Sequence, residues 1–335
     1  MKNKKTINLA DGGGGREMGE LIKFVRQQIP FVGRWKNTGD DAAVLDVGWG
    51  LDSRLRGNDR LVFTTDAFVV SPIFFLGGNI GDLAFNGTLN DLLMQGAKPL
   101  GISLSVVLED GFLMADLQKI LRTIGRLSEQ TKVPIATGDT KVVEKGAVDK
   151  IMITTSGVGL TGRVLSDSGL KIGDKIIVSG TLGDHGGVLL AKRFNYVSKV
   201  KSDTKPLVEE MRAVGKYLVA AKDPTRGGLA AVMNEMAEKS GVKIVLEKNK
   251  IPIKKETVSI CRLLGLSEYS IASEGRFVAG VRPDDAVKVL WILRRFNAGA
   301  AIVGEVQKGK NVFIKNELGE KKLDIPQGNL VPRIC

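Results

Sequence analysis

This 335-residue chain contains one histidine, His185, two cysteines, three tryptophans and three tyrosines. Each scarcity excludes something. A solitary histidine argues against a histidine-based metal cluster or a catalytic triad. Two cysteines cannot build a disulfide scaffold, which points to a reduced, cytoplasmic protein. So few tryptophans and tyrosines leave little surface for stacking nucleobases. No apolar run reaches the length of a membrane span. The basic start "MKNKK" leads into a polar glycine run, so neither a secretory signal nor a membrane association is expected. The net charge of +12 comes from scattered Lys and Arg. It is read as solvated faces that suit an acidic protein partner, with no nucleic acid bound.

What is present is ordinary globular material, 43% hydrophobic and 26% charged, with 41 glycines. The length allows two domains with cores of their own. In the first, helical periodicity covers 16–29, 82–95 and 112–130. Strand-like runs fall at 61–65, 102–108, 133–137 and 151–159. This alternation reads as an α/β or α+β domain over residues 1–160. A second domain, 161–318, has helical patterns at 185–194, 206–221, 226–239, 255–264 and 284–296. Its strands are expected near 242–246, 276–281, 300–306 and 311–315. Residues 319–335 carry no sustained period and read as a mobile tail. The polar stretch 46–60 reads as a surface loop or insertion.

Acidic residues punctuate the first domain: Asp40 and Asp41 in "TGDDAAV", Asp66 in "FTTDAF", Asp91 in "LNDLL" and Asp139 in "ATGDTK". Carboxylates at element ends serve as turn formers and caps as readily as ligands. Asp91, with Asn90 beside it, stands apart because "LAFNGTLNDLLM" is apolar enough to be buried. A buried carboxylate needs a partner, and carboxylates from separate segments without a Cys or His cluster suit Mg²⁺ better than zinc. The glycine run Gly12–Gly15 precedes a helical pattern and offers free amides to a phosphate, although it matches no standard nucleotide fingerprint. "KDPTRGGLAAVMNEMA" reads as a helix capped by Asp223, with Pro224 at its first turn. Gly227 and Gly228 there permit a close approach by another segment or a ligand. Lys141 and Glu274 fit a charge stabiliser and a general base, or surface residues. Cys261 reads as a buried free thiol. Cys335 closes the chain in "PRIC", where a thiol is exposed by default.

In order along the chain, "LADGGGG", "GDDAAV", "TTDAFVVSP", "TLNDLLMQGAKP", "TGDTKVVEKG", "SGTLGDHGG", "DPTRGGLA", "SEGRF" and the terminal "PRIC" resemble the HypE family of hydrogenase maturation proteins. That family lies within the PurM-like, aminoimidazole ribonucleotide synthetase-like superfamily. The resemblance implies an α+β two-domain fold whose N-terminal domain pairs with a second copy into a β-barrel, with ATP in clefts at the interface. It implies a homodimer that works with the carbamoyltransferase HypF and the HypC–HypD complex.

The implied reaction is ATP-dependent dehydration of a carbamoyl group on the chain's own terminal cysteine. The resulting thiocyanate supplies cyanide to the iron of [NiFe]-hydrogenase. By resemblance, Asp41, Asp66 and Asp91 hold Mg²⁺, and these three with Asn90, Asp139 and Gly12, Gly13, Gly14 and Gly15 bind ATP. Lys141 steadies the reacting oxygen, Glu274 takes protons from the nitrogen, and Cys335 carries the substrate. Ser273 departs from the family's usual Asn. Two alternatives remain: another ATP-using synthetase or kinase of the superfamily, and a thiol carrier without catalysis.

Overall fold

The computed structural model describes residues 42–46, 60–328 and 331–335, with residues 16, 17, 19, 20 and 36 before them. The stretch 47–59, most of the expected first helix, the glycine run and Asp41 lie outside the described residues.

The first unit is built on a five-stranded sheet: β1 (Ala43–Asp46), β2 (Arg60–Phe68), β5 (Lys98–Glu109), β6 (Ile135–Val143) and β7 (Ile151–Thr161). Their order is β1-β2-β7-β5-β6, antiparallel throughout except for the β5–β6 pair. The strand β7 alternates buried and half-exposed residues along its whole length, as a sheet covered on one face requires. Two helices cover that face, α1 (Ile80–Met94) and α2 (Met114–Thr131). A short hairpin, β3 (Phe74–Phe75) and β4 (Gly78–Asn79), leads into α1. Asn79 caps that helix: its side chain accepts from Gly81 N, and Asp82 accepts from Asn79 N, both at 2.8 Å.

Every residue of α1 is buried except Asp91. A helix buried on nearly all sides has to be surrounded, and α1 is: sheet and α2 on one side, the second unit on the other. The expected burial of Asp91 is therefore corrected. It is half-buried, at the single position where the wrapped helix is open.

The second unit carries a seven-stranded sheet in the order β14-β13-β10-β12-β8-β11-β9. Its strands are β8 (Lys175–Val178), β9 (Leu218–Lys222), β10 (Lys243–Glu247), β11 (Val278–Val281), β12 (Ala301–Gln307), β13 (Val312–Asn316) and β14 (Gly319–Lys322). One face packs on α5 (Gly228–Ser240) through Leu229, Val232, Met233 and Met236. The other meets α3 (Asp184–Arg193), α4 (Val208–Val214) and α7 (Pro283–Phe296), and its core is continuous with that of the first unit. A further helix, α6 (Lys255–Leu263), buries Cys261 completely.

Three local expectations are corrected. The helix expected over 206–221 ends at Val214, and Leu218–Lys222 is an edge strand paired with β11. "LVAAK" has helix-forming alanines, but pairing and burial of Leu218, Ala220 and Ala221 decide its state. Asp223 does not cap the following helix. That helix starts after Gly227, whose φ of 79° is left-handed, and no side chain caps it. Residues 319–322, expected in a mobile tail, form β14 against β13.

Candidate active site

The last residues of the chain run back across both units. Val69 N donates to Cys335 O at 3.2 Å and Ser71 N to Arg333 O at 3.1 Å, so the segment after β2 receives the chain end. Arg333 returns a bond from Nε to Val69 O at 3.0 Å and pairs with Asp149. Val331 and Ile334 are buried at 6% and 7% exposure. The expected free arm is thus seated in this structure. Apolar burial and backbone pairing hold it, and neither leaves a periodic signature in a five-residue stretch.

The seat delivers Cys335 to a cluster drawn from four elements. Asp66 projects from β2 on the face covered by α1, where Thr88 Oγ1 donates to it at 3.4 Å. Asp91 accepts from Thr64 Oγ1 at 2.8 Å. Glu274, in the loop before β11, is 4% exposed and its Oε1 has no hydrogen-bond partner. Arg226, between the Asp223 turn and α5, is the cation of the group. Cys335 first, then Asp66, Glu274 and Asp91, raise its pKa against the opposing effect of its burial.

The electrostatics of the cluster are unusual. Burial pushes the Glu274 carboxyl well above the ordinary glutamate range, Asp223 and Asp203 add to this, and Arg226 opposes it. The Cys335 thiol is pushed up to about 12 by burial, then by Glu274, with Arg226 pulling the other way. The seated cysteine is half-buried and is a neutral, weakly nucleophilic thiol at physiological pH. Asp203, 6% exposed and raised chiefly by its burial, accepts from Glu274 N at 2.9 Å and fixes that loop. Gly275 is required beside it, since a Cβ there would meet Asp203 O at 2.1 Å. Ser273 is fully buried, and its Oγ accepts from Gly183 N at 2.8 Å, tying the loop to the start of α3.

The expected site residues divide sharply. Asp66, Asp91, Glu274 and Cys335 are brought together. Asn90 points elsewhere: its Nδ2 donates to Lys205 O at 3.1 Å, and its Oδ1 accepts from Leu207 N at 2.9 Å. Both ends of the amide are thus occupied by backbone, which makes it a clamp between the two units. Asp139 and Lys141, expected just after a strand, lie within β6 and are exposed. Asp139 is in register with Ser105, Thr154 and Ala67, on the sheet face turned away from α1. Three strand spacings, about 14 Å, separate β6 from β2. Within one copy of the chain neither residue shares the side of the sheet that holds Asp66. Gly12 to Gly15 and Asp41 lie outside the described residues.

Sequence reasoning gave no role to Arg226, Asp203 or His185. An arginine directly before a Gly-Gly helix start was the available signal for the first. For Asp203 in "KSDTK" there was none. Among the described residues no group of three or more His, Cys, Asp and Glu is arranged to hold a metal. Asp66 and Asp91 supply two half-buried carboxylates near a common cation, a donor type that suits Mg²⁺ but needs further ligands.

Comparison with known proteins gives the same outline. The AIR synthase related protein family matches through its N-terminal domain at residues 39–161 and its C-terminal domain at 171–316. A carbamoyl dehydratase HypE of Rhizobium leguminosarum bv. viciae is 39% identical, over 98% of this chain and 95% of its own. A chain in the crystal structure of a HypE–HypF complex superposes with a TM-score of 0.82 at 37% identity, covering 91% of this chain and 99% of that one. A HypE crystal structure in complex with ATP has a TM-score of 0.79 at 33% identity, covering 98% of this chain and all of that one.

Proposed function

The chain belongs to the HypE family of AIR synthase related proteins, and from that premise we propose that it dehydrates a carbamoyl group carried on its own Cys335, using ATP. The observation that carries this reading is the seat of the tail. A terminal thiol is folded into a cluster of carboxylates and one arginine at the junction of the two units. The likeness to an ATP complex and to a HypF complex supports ATP as co-substrate and HypF as the donor of the carbamoyl group. Handover to HypC–HypD follows from the same reading.

The chemistry needs a poor leaving group made into a good one. The carbamoyl oxygen attacks the γ-phosphorus of ATP, the bond to the β,γ-bridging oxygen breaks and ADP leaves. Removal of two protons from the nitrogen and departure of phosphate then leave S–C≡N on Cys335. Glu274 is the group placed to take protons: it is buried, has a free oxygen, and is more basic than an ordinary glutamate. Arg226 offsets negative charge beside the thiol sulfur as phosphate develops and departs. Asp66 and Asp91 would hold Mg²⁺, with Asp41 as a further ligand; when bound, the ion offsets charge on the polyphosphate.

Asp139 and Lys141 enter this scheme through a second copy. The sheet face opposite α1 exposes Phe63 and Leu100 at 39% and 47%, and β6 is an edge strand with Val142 at 64%. Among the described residues that face is uncovered and that edge unpaired, which supports pairing with another sheet. In a homodimer built there, Asp139 and Lys141 of one copy reach toward the ATP of its neighbour.

Asp91→Asn tests the reading against a carrier that performs no catalysis. The variant should accept the carbamoyl group on Cys335 and fail to dehydrate it with ATP. Normal delivery of cyanide by Asp91→Asn would make Cys335 a mere carrier.

A further inference from the structure

His185, the sole histidine of the chain, takes no part in the chemistry above. It is the second residue of α3, it is fully buried, and its ring stands edge-on to Phe75 with centroids 5.1 Å apart. Both ring nitrogens are engaged: Nδ1 meets Ser202 Oγ at 2.8 Å, and Nε2 meets Ile334 O at 2.7 Å. A carbonyl only accepts, so Nε2 carries the proton, and Nδ1 of the neutral ring accepts from the Ser202 hydroxyl. Burial lowers the imidazole pKa to about 4, the Ile334 carbonyl opposes this and Arg193 adds to it, so the ring is neutral near pH 7.

The neighbouring position is shaped for the same tail residue. A Cβ on Gly186 would come within 3.1 Å of Ile334 Cδ1 and 2.4 Å of Ile271 Cγ2. Two successive residues of α3 therefore address Ile334, one binding its carbonyl and the other leaving room for its side chain. At the far end of α3, Arg193 donates through Nη2 to Arg333 O and through Nε to Ser71 O at 2.7 Å. The amides of Val69 and Ser71 would bind any extended backbone. His185 is the side chain that engages the residue next to the thiol.

We propose that His185 and Gly186 form a receptor for Ile334, so that His185 is a positioning residue whose Nε2 bond sets how much of the time Cys335 is inside the site. The reaction proposed above gives this seat its purpose, but the seating equilibrium can be measured without it. The bond trades off two needs. A seat too weak leaves the carbamoyl group outside the ATP site, and one too strong withholds the product from the next protein.

The test is alkylation of Cys335 by a maleimide in untagged, full-length protein, followed by mass analysis of the C-terminal peptide. The buried Cys261 is an internal control for unfolding. His185→Leu removes the donor and leaves a buried carbonyl unpaired, so its alkylation should be faster by about 5- to 100-fold. His185→Gln retains a donor for the same carbonyl and should stay within about threefold of wild type. If His185→Leu does not fold, the wild-type protein still decides. With one histidine, its ¹⁵N signals report a single ring. The Nε2–H should be protected from exchange with a free thiol, and lose that protection when a bulky maleimide adduct on Cys335 holds the tail out. Equal alkylation rates in folded His185→Leu and wild type, or an imidazole signal indifferent to the adduct, would overturn the proposal. Altered alkylation in a protein that never dehydrates its tail would leave the seat standing and remove the function. Dehydration with an unaltered alkylation rate would do the reverse.

Discussion

Replacing Asn90 with alanine separates a nucleotide contact from a clamp. The side chain is 1% exposed and makes two hydrogen bonds, to Lys205 O at 3.1 Å and from Leu207 N at 2.9 Å. Each bond contributes about 1 kcal/mol net, and each backbone group left buried without a partner costs about 1–3 kcal/mol. Partial relaxation brings the expected loss for Asn90→Ala to roughly 2–5 kcal/mol. Urea unfolding followed by circular dichroism should show this as a lower midpoint at unchanged slope. Asn90→Asp should be at least as damaging, because a carboxylate oxygen would replace the donor facing the Lys205 carbonyl. A loss below about 1 kcal/mol for Asn90→Ala, together with a large drop in ATP affinity, would refute the clamp and restore Asn90 to the nucleotide site.

Three further outcomes follow from the geometry. Glu274 must be ionised to accept a proton, and its pKa is raised, so dehydration should fall as pH drops through a value well above 4.5, and Glu274→Gln should abolish activity; an acid limb at the ordinary glutamate position would count against Glu274 as base. Gly228→Ala should destabilise the protein by about 2 kcal/mol or more, since φ is +58° and a Cβ would meet Ile271 O at 2.7 Å and Tyr269 O at 2.8 Å; thermal unfolding checks it. If Lys141 serves the neighbouring copy, inactive Lys141→Ala and Asp91→Asn proteins mixed and re-paired at equal amounts should recover about a quarter of wild-type activity, whereas residues acting within one copy would give no recovery.

The sequence revealed most where chemistry and local pattern coincide. Alternating strand and helix signals pointed to an α/β or α+β first domain and length to a second, while the resemblance implied the α+β two-domain fold and named Asp66, Asp91, Glu274 and Cys335, which the structure places in one cluster. Gly228 was read as a point of close approach, and the 269–271 segment makes that approach. What escaped was set by long-range pairing. Strand β9 is a strand because β11 lies beside it, although its alanines favour a helix. Asp139 and Lys141 fall inside β6, whose residues are nearly all exposed in one copy and so show no alternation to read. The docking of Ile334 onto His185 joins residues 149 apart in sequence, and no local period encodes it. Asn90 was placed in the nucleotide site by the family resemblance, and in this structure its amide bonds to the backbone at Lys205 and Leu207. A helix wrapped on all sides turns successive residues toward different partners, and only the fold reveals which.

The central claim is that Cys335 is a tethered substrate, processed in the site where its tail is seated. Protein carbamoylated on Cys335 should be incubated with ATP and Mg²⁺ and the C-terminal peptide weighed intact. The account predicts loss of one water from that peptide, with ADP and phosphate released in step, and none without ATP. ATP turnover that leaves the carbamoylated peptide unchanged would contradict it.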